Sequence, residues 1–415
     1  MKNNISKLIC STILIILFAA VVCDAYWKSN KPNNATFNGI SALDNKSKSM
    51  KLDSHILCSN ETDQESIKVL EESYKKLEVS PIESRPRYAA EIGICALLSN
   101  DVNLAENALD YSITNIENIT TAGVREQKVT STKGSEEQKI FKGEPHEKVM
   151  VYLYRGMLYM AKGDYENSQA CFKNAALQDA LAANESDRSN WLTIDLLQLV
   201  CKRLMKDSDE KDFETYIRQK YSGETALIEP MLNCLEPNLV ILVSVGRVPE
   251  KIASDSHGQT LAYSNSDSII HTVCLTTNQG TLVLSETDDL YVQATSRGKR
   301  KMDDILAQKA NKRKTIEAVG DAAAAAAPLV PGGIALCLVK ELSWSASDGI
   351  KSSADCRTIR SIGQKLYLFI GNKFQLGQPL KLQAINVDKE VIAEKTIKID
   401  NGSSVPTVIV GRVPY

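Results

Sequence analysis

Two pairs of adjacent carboxylates, Asp288-Asp289 and Asp303-Asp304, are the first residues an acid/base reaction would recruit in this chain. Their spacing denies the role. Neighbouring residues leave a strand on opposite faces and share no helix face, so neither pair is a ready proton-transfer dyad. Both pairs read instead as solvated turn or surface residues. His55, His146, His257 and His271 are scattered, without an HExxH arrangement or a cysteine companion. GxSxG, P-loop and dinucleotide fingerprints are absent from the sequence. One polar constellation remains. Asp355, Arg357 and Arg360 put a carboxylate and two guanidinium groups close together, and such groups orient polar ligands. The same spacing equally suits a carboxylate that pairs with its neighbour at a loop. No catalytic residue, cofactor or metal site is expected from these patterns.

Basic side chains cluster between Arg297 and Lys314, headed by Arg297, Lys299, Arg300 and Lys301. Such a segment can contact an anionic membrane surface or an acidic partner, by attraction that salt weakens; it also reads as a solvated helix face. No aromatics are interleaved, so nucleic acid is not an expected partner. The formal net charge of -2 supplies no overall field. Residues 320–339 are mostly apolar but carry Pro328 and Pro331, which favours a small-residue helix packed on a sheet over a plain membrane span. Eight cysteines beyond the N-terminus stand singly; most read as small buried hydrophobes, and their disulfide pairing is left open.

The elements that must position these residues follow from patterning. Lys2 and Lys7 precede an apolar run from Leu8 to Cys23, so residues 1–25 read as a signal peptide or membrane anchor. Cleavage after Ala25 and lipidation of Cys23 are both open, although Val22 departs from the small residue a lipobox wants. Export to the periplasm, or anchorage on the outer side of the inner membrane or at the outer membrane, is the expected location. Residues 26–60 are rich in Asn, Ser and Lys and read as a flexible tether.

From Glu61, helical spacing takes over, with Ile67, Leu70, Tyr74 and Leu77 on one face. Two more helices fill Tyr88 to Ile119, punctuated by Ser99-Asn100-Asp101. Tyr152, Gly156 and Tyr159, the turn Gly163-Asp164-Tyr165, then Ser168, Phe172 and Ala175 have the spacing of a tetratricopeptide repeat. Leu104 and Tyr111 are the expected counterparts in a degenerate neighbour, and Thr120 to Glu147 reads as a long surface loop. Arg155 and Lys162 are the polar candidates for contacting a partner in the groove of the repeats, with Tyr152 and Tyr159 assigned to packing.

Near Pro237 the pattern turns to strands: NLVILVSVGRVPEK, SIIHTVCLTT, TLVLSETDD, LYVQATS, then KLYLFIGNKF, LKLQAINVD, VIAEKTIKID and TVIVGRV. The heptads VSVGRVP and VIVGRVP read as two terminating strands of one sheet region, with Gly246 and Gly411 as turn residues and Arg247 and Arg412 exposed.

Three segments, GEPHEKVMVYLYRGMLYMAKGDYENSQACFKNAALQ, LVILVSVGRVPEK and ADCRTIRSIGQKLYLF, resemble a family of uncharacterised exported bacterial proteins, often lipoproteins, with tetratricopeptide-like repeats and a β-rich C-terminal half. Gly143-Glu144-Pro145 matches the entry to the repeat. Ala354-Asp355-Cys356-Arg357 matches a later motif, with Cys356 where Thr is usual and without the Trp that often follows. The resemblance implies fold and export, and carries no activity.

The expected fold is therefore α+β: a tetratricopeptide-like helical domain over residues 61–236, then a β-rich domain over residues 237–415 with a helical insertion at about 297–345. The expected function is a non-enzymatic cell-envelope scaffold that binds an envelope protein or peptide through its repeats. Two alternatives stand beside it: an enzyme or carbohydrate-active accessory module with a site near Asp355, Arg357 and Arg360, and a membrane-associated scaffold using residues 297–339.

Overall fold

The computed structural model describes residues 56–57, 64–121, 141–180, 190–253, 261–264, 268–277, 280–295, 355–372, 380–397 and 406–413, less residues 82 and 142, together with a few helical residues between 315 and 322. Cys23, Arg297, Lys299, Arg300, Lys301, Asp303 and Asp304 lie outside them, as do the expected signal, all of the tether but residues 56–57, and most of the segment 320–339. Residues 53–415 form one compact unit, so the change of pattern at Pro237 is a change of element type within a shared core.

The N-terminal half is helical: α1 (Gln64–Val79), α2 (Arg85–Leu98), α3 (Val102–Thr121), α4 (Pro145–Ala161), α5 (Tyr165–Ala180), α6 (Leu192–Met205), α7 (Glu210–Lys220) and α8 (Thr225–Leu232). The hairpins α2–α3 and α4–α5 are built alike. A Cβ at Gly93 would stand 2.7 Å from Leu109 Cγ, and one at Gly156 would overlap the Phe172 ring at Cε1. Each glycine thus meets the residue at the same distance further along the chain. Both hairpins reverse at a positive φ, 63° at Asn100 and 78° at Gly163. Ser168 Oγ donates to the Gly156 carbonyl at 2.9 Å, which gives its hydroxyl an acceptor inside the hairpin. The counterpart of Phe172 is therefore Leu109, not the expected Tyr111. The expected loop is also shorter than read, because α3 runs to Thr121 and α4 begins at Pro145.

Gly156→Ala tests this packing. Overpacking against the buried Phe172 ring is expected to destabilise by about 1–3 kcal/mol, despite alanine's better helix propensity. Gly223→Ala, where an added Cβ meets nothing within 4 Å, is expected to be neutral in the same urea titration.

The strands are β1 (Ile56–Leu57), β2 (Pro237–Val245), β3 (Glu250–Ala253), β4 (Leu261–Ser264), β5 (Ile270–Thr277), β6 (Gly280–Val283), β7 (Ser285–Asp289), β8 (Lys365–Asn372), β9 (Leu380–Asn386), β10 (Val391–Ile397) and β11 (Thr407–Val413). They form sheets ordered β1-β11-β2-β8-β7, β10-β9-β5-β6 and β3-β4. LYVQATS departs from the strand expectation. Its residues Leu290–Thr295 form the short helix α9, which starts where Asp289 Oδ1 accepts the Tyr291 N–H at 2.7 Å.

Alternation along the five-stranded sheet sends its two faces to two cores. Val240, Leu242, Leu366, Leu368, Val408 and Val410 pack with the helices. Leu239, Ile241, Val243, Tyr367 and Ile409 pack with Val273, Leu275, Leu382 and Ala384 of the four-stranded sheet. Burial on both faces explains why the strands at the heptads read as continuous apolar runs. Helices α2 and α4 lie on β11, and α6 lies on β2 and β7. The inner helices α2, α4 and α6 are consequently buried nearly all round.

The two heptads are neighbours, for β11 pairs with β2 in parallel, but out of phase: Val408 faces Val240 and Gly411 faces Val243. Gly246 turns the chain, with φ 78°; Gly411 lies within its strand, correcting the expectation of a turn there.

Candidate functional site

The three segments that carry the sequence resemblance converge on one buried carboxylate, Glu147. Gly143, at φ 67°, leads into α4, Glu144 is its N-cap and Pro145 opens its first turn. Glu147, three residues past the cap, turns back to accept the Glu144 N–H at 2.8 Å, closing a capping box. The same side chain accepts Lys251 Nζ at 2.5 Å and the Ile359 N–H at 3.0 Å. Lys251 also donates to the Arg357 carbonyl at 2.7 Å. Helix entry, the strand after the first heptad, and the strap of residues 355–364 are thereby tied at one point.

Asp355, Arg357 and Arg360 all lie on that strap. Arg357 forms a two-pronged pair with Asp355, Nε to Oδ1 at 2.8 Å and Nη2 to Oδ2 at 2.7 Å, and reaches Ser84 Oγ at 3.0 Å. Arg360 gives its backbone N–H to Glu91 Oε1 at 2.9 Å and Nη1 to Glu72 Oε2 at 3.1 Å. Its guanidinium holds Glu72 below the usual carboxylate range. Buried Glu91 also accepts Ser73 Oγ at 2.6 Å. The strap is thus bonded to α1, α2 and α4 and passes on to the sheet through Gln364 N–H to the Val245 carbonyl at 2.8 Å. At Gly363 a Cβ would sit 2.8 Å from the Val245 backbone nitrogen.

The groove candidates lie elsewhere, Arg155 buried and Lys162 exposed, and both are taken up by carboxylates of α3. Arg155 is buried, bonded to Asp110 through Nε at 2.7 Å and Nη2 at 3.0 Å, to Glu106 at 2.9 Å, and stacked 3.8 Å from the Tyr159 ring centre. Lys162 donates to the same Glu106 at 2.5 Å. Both residues join α4 to α3, while the five-stranded sheet covers α2, α4 and α6.

Asp288, against the expectation of a solvated turn or surface carboxylate, is buried. Its two oxygens accept the N–H groups of Leu192 at 3.2 Å and Thr193 at 2.8 Å, capping α6 from a strand remote in sequence. Burial pushes its carboxyl up to about 7, against the pull of these donors. Cys201, Cys234 and Cys274 are free, buried thiols; burial pushes Cys201 up to about 12 and Cys234 up to about 11, so the small-hydrophobe reading suits them.

Among the described residues, no group of His, Cys, Asp and Glu side chains is arranged to hold a metal ion, and no helix is long and apolar enough to cross a membrane. The molecule is an α+β protein with its helices mostly N-terminal and its strands mostly C-terminal. No family model, curated protein or solved structure matches the chain.

Proposed function

We propose that this chain is a non-enzymatic protein of the cell envelope that binds an envelope protein or peptide, with α2–α3 and α4–α5 serving as tetratricopeptide-like repeats. The observation that carries this reading is that Asp355, Arg357, Arg360 and Glu147 at the junction are each engaged in an ion pair. Asp355 is held by Arg357, Arg360 by Glu72 and Glu91, and Glu147 by Lys251. General acid/base chemistry needs a group free to exchange a proton with a substrate. Here the groups lock layers together, which favours a binding role over an enzyme or carbohydrate-active module built on Asp355, Arg357 and Arg360. The repeat reading draws on the shared contact of Gly93 with Leu109 and Gly156 with Phe172. Export draws on the basic and apolar pattern of residues 1–25.

Repeat arrays recognise partners on their concave face. That face is filled in this chain by its own sheet, so we assign the partner to the outer helices, where Leu177 of α5 is 57% exposed. A photo-crosslinking residue at Leu177 of the full chain, in envelope extract, is expected to yield a defined protein adduct. The comparison site is Val283 on β6, 63% exposed. Adducts from Val283 alone would move the binding face to the second sheet. Adducts from neither would overturn partner binding.

A further inference from the structure

Arg412, against the expectation of an exposed residue, has much of its guanidinium folded under the helices. On β11 it stands opposite Ser244 of β2, continuing the alternation of Val408 and Val410 that faces α4. Tyr154 of α4 donates to Ser244 Oγ at 3.2 Å, leaving the serine proton to be donated onward. Arg412 Nη2 donates to the Arg360 carbonyl at 3.3 Å. Its Nε and Nη1 are buried and have no acceptor. Ser361, the next residue of the strap, is fully buried, and its hydroxyl also has no partner.

Charge makes the cluster more telling. Arg155, Arg203, Arg218, Arg357 and Arg360 each meet a carboxylate. Arg412 meets none among the described residues. Arg412 is half-buried as a whole, but a guanidinium with two nitrogens withdrawn from water and no counter-charge is costly, and each buried N–H without an acceptor adds to that cost. Arg412 Nε offers one hydrogen and Nη1 two, all in the guanidinium plane that suits carboxylate and phosphate oxygens. A small oxyanion would answer the charge and the donors together.

We propose that Arg412, Ser361 and Ser244 form a binding site for a small oxyanion, of the carboxylate or phosphate class, where β2 and β11 end beneath the strap. The site is independent of the partner-binding reading.

The test is the urea midpoint of the full chain in phosphate, acetate or chloride at constant ionic strength. The wild type is expected to be stabilised by phosphate or acetate beyond chloride; phosphate alone identifies an inorganic or esterified phosphate, acetate alone a carboxylate. Ser361→Ala is expected to weaken the apparent anion affinity about ten-fold, the scale of one hydrogen bond to a charged group. Arg412→Met is expected to fold, because it removes an uncompensated charge, and to lose the anion response. An equal response to all three salts overturns the proposal, as does a response retained in Arg412→Met. Should that variant fail to fold, an unchanged phosphate and acetate response in Ser361→Ala overturns it.

Discussion

Replacing Glu147 by glutamine is expected to lower the unfolding free energy by about 3–5 kcal/mol, because it strands one member of a buried ion pair. Lys251 would remain a desolvated ammonium facing the Arg357 carbonyl and a neutral amide, whose single oxygen must serve donors that two carboxylate oxygens now share. The capping box and the bond from Ile359 would weaken in the same substitution. Removing both charges together, as Glu147→Gln with Lys251→Met, is expected to recover a substantial part of the loss. Urea denaturation of the two single variants and the double variant measures the coupling. A single-variant loss below about 1 kcal/mol, or strict additivity in the double, would show that the pair does not hold the junction.

Asp288→Asn is expected to change how stability depends on pH. The folded carboxyl titrates at about 7, well above the 3.8 of an ordinary aspartate. A group raised in this way contributes stability that is complete below the unfolded value and declines as pH rises through the folded one. In the wild type that component should therefore fade between about pH 4 and pH 7 and stay flat above. The replacement amide has no proton to lose, so the difference in unfolding free energy between pH 5 and pH 8 should shrink in the variant. The substitution also keeps only one oxygen for two buried N–H donors, a pH-independent loss of about 1–3 kcal/mol. Parallel pH profiles for the two proteins would refute the assignment.

Sequence patterning reaches local structure well and distant pairing poorly, and Glu147 shows why. The hairpin of α4 and α5 was legible because Gly156, Tyr159 and Phe172 repeat at helical spacing within one short stretch. The start of α4 was also written, as Glu144 and Glu147 three residues apart around Pro145, but a polar run before it disguised it as loop. Nothing local to Glu147 names Lys251 or Ile359 as its partners. Arg155 fails for the same reason. Its pattern marks a cation on an amphipathic helix, whereas its carboxylates, Glu106 and Asp110, belong to the preceding hairpin. Asp355, Arg357 and Arg360 were legible as a cluster because they sit within six residues, yet their engagement depends on Ser84, Glu91 and Glu72. The heptads show the limit from the other side. Two β-branched strands ending alike belong together, but the phase of β11 on β2 comes from how the two cores fill, and it leaves Gly411 in mid-strand.

The strap has a consequence for the order in which the molecule can assemble. Residues 359 and 360 supply the amides that Glu147 and Glu91 accept, and the chain between them and those carboxylates includes most of the strands. The inner faces of α2 and α4 are covered by β11, the last of the described strands. A growing chain that has completed α1 to α8 thus still lacks both the cover for their apolar side and the donors for their buried carboxylates. Contacts of such long sequence separation form late and slowly, since loop closure precedes their reward. Most of the described helices precede most of the strands in the sequence, but their native setting is completed by segments that follow much later.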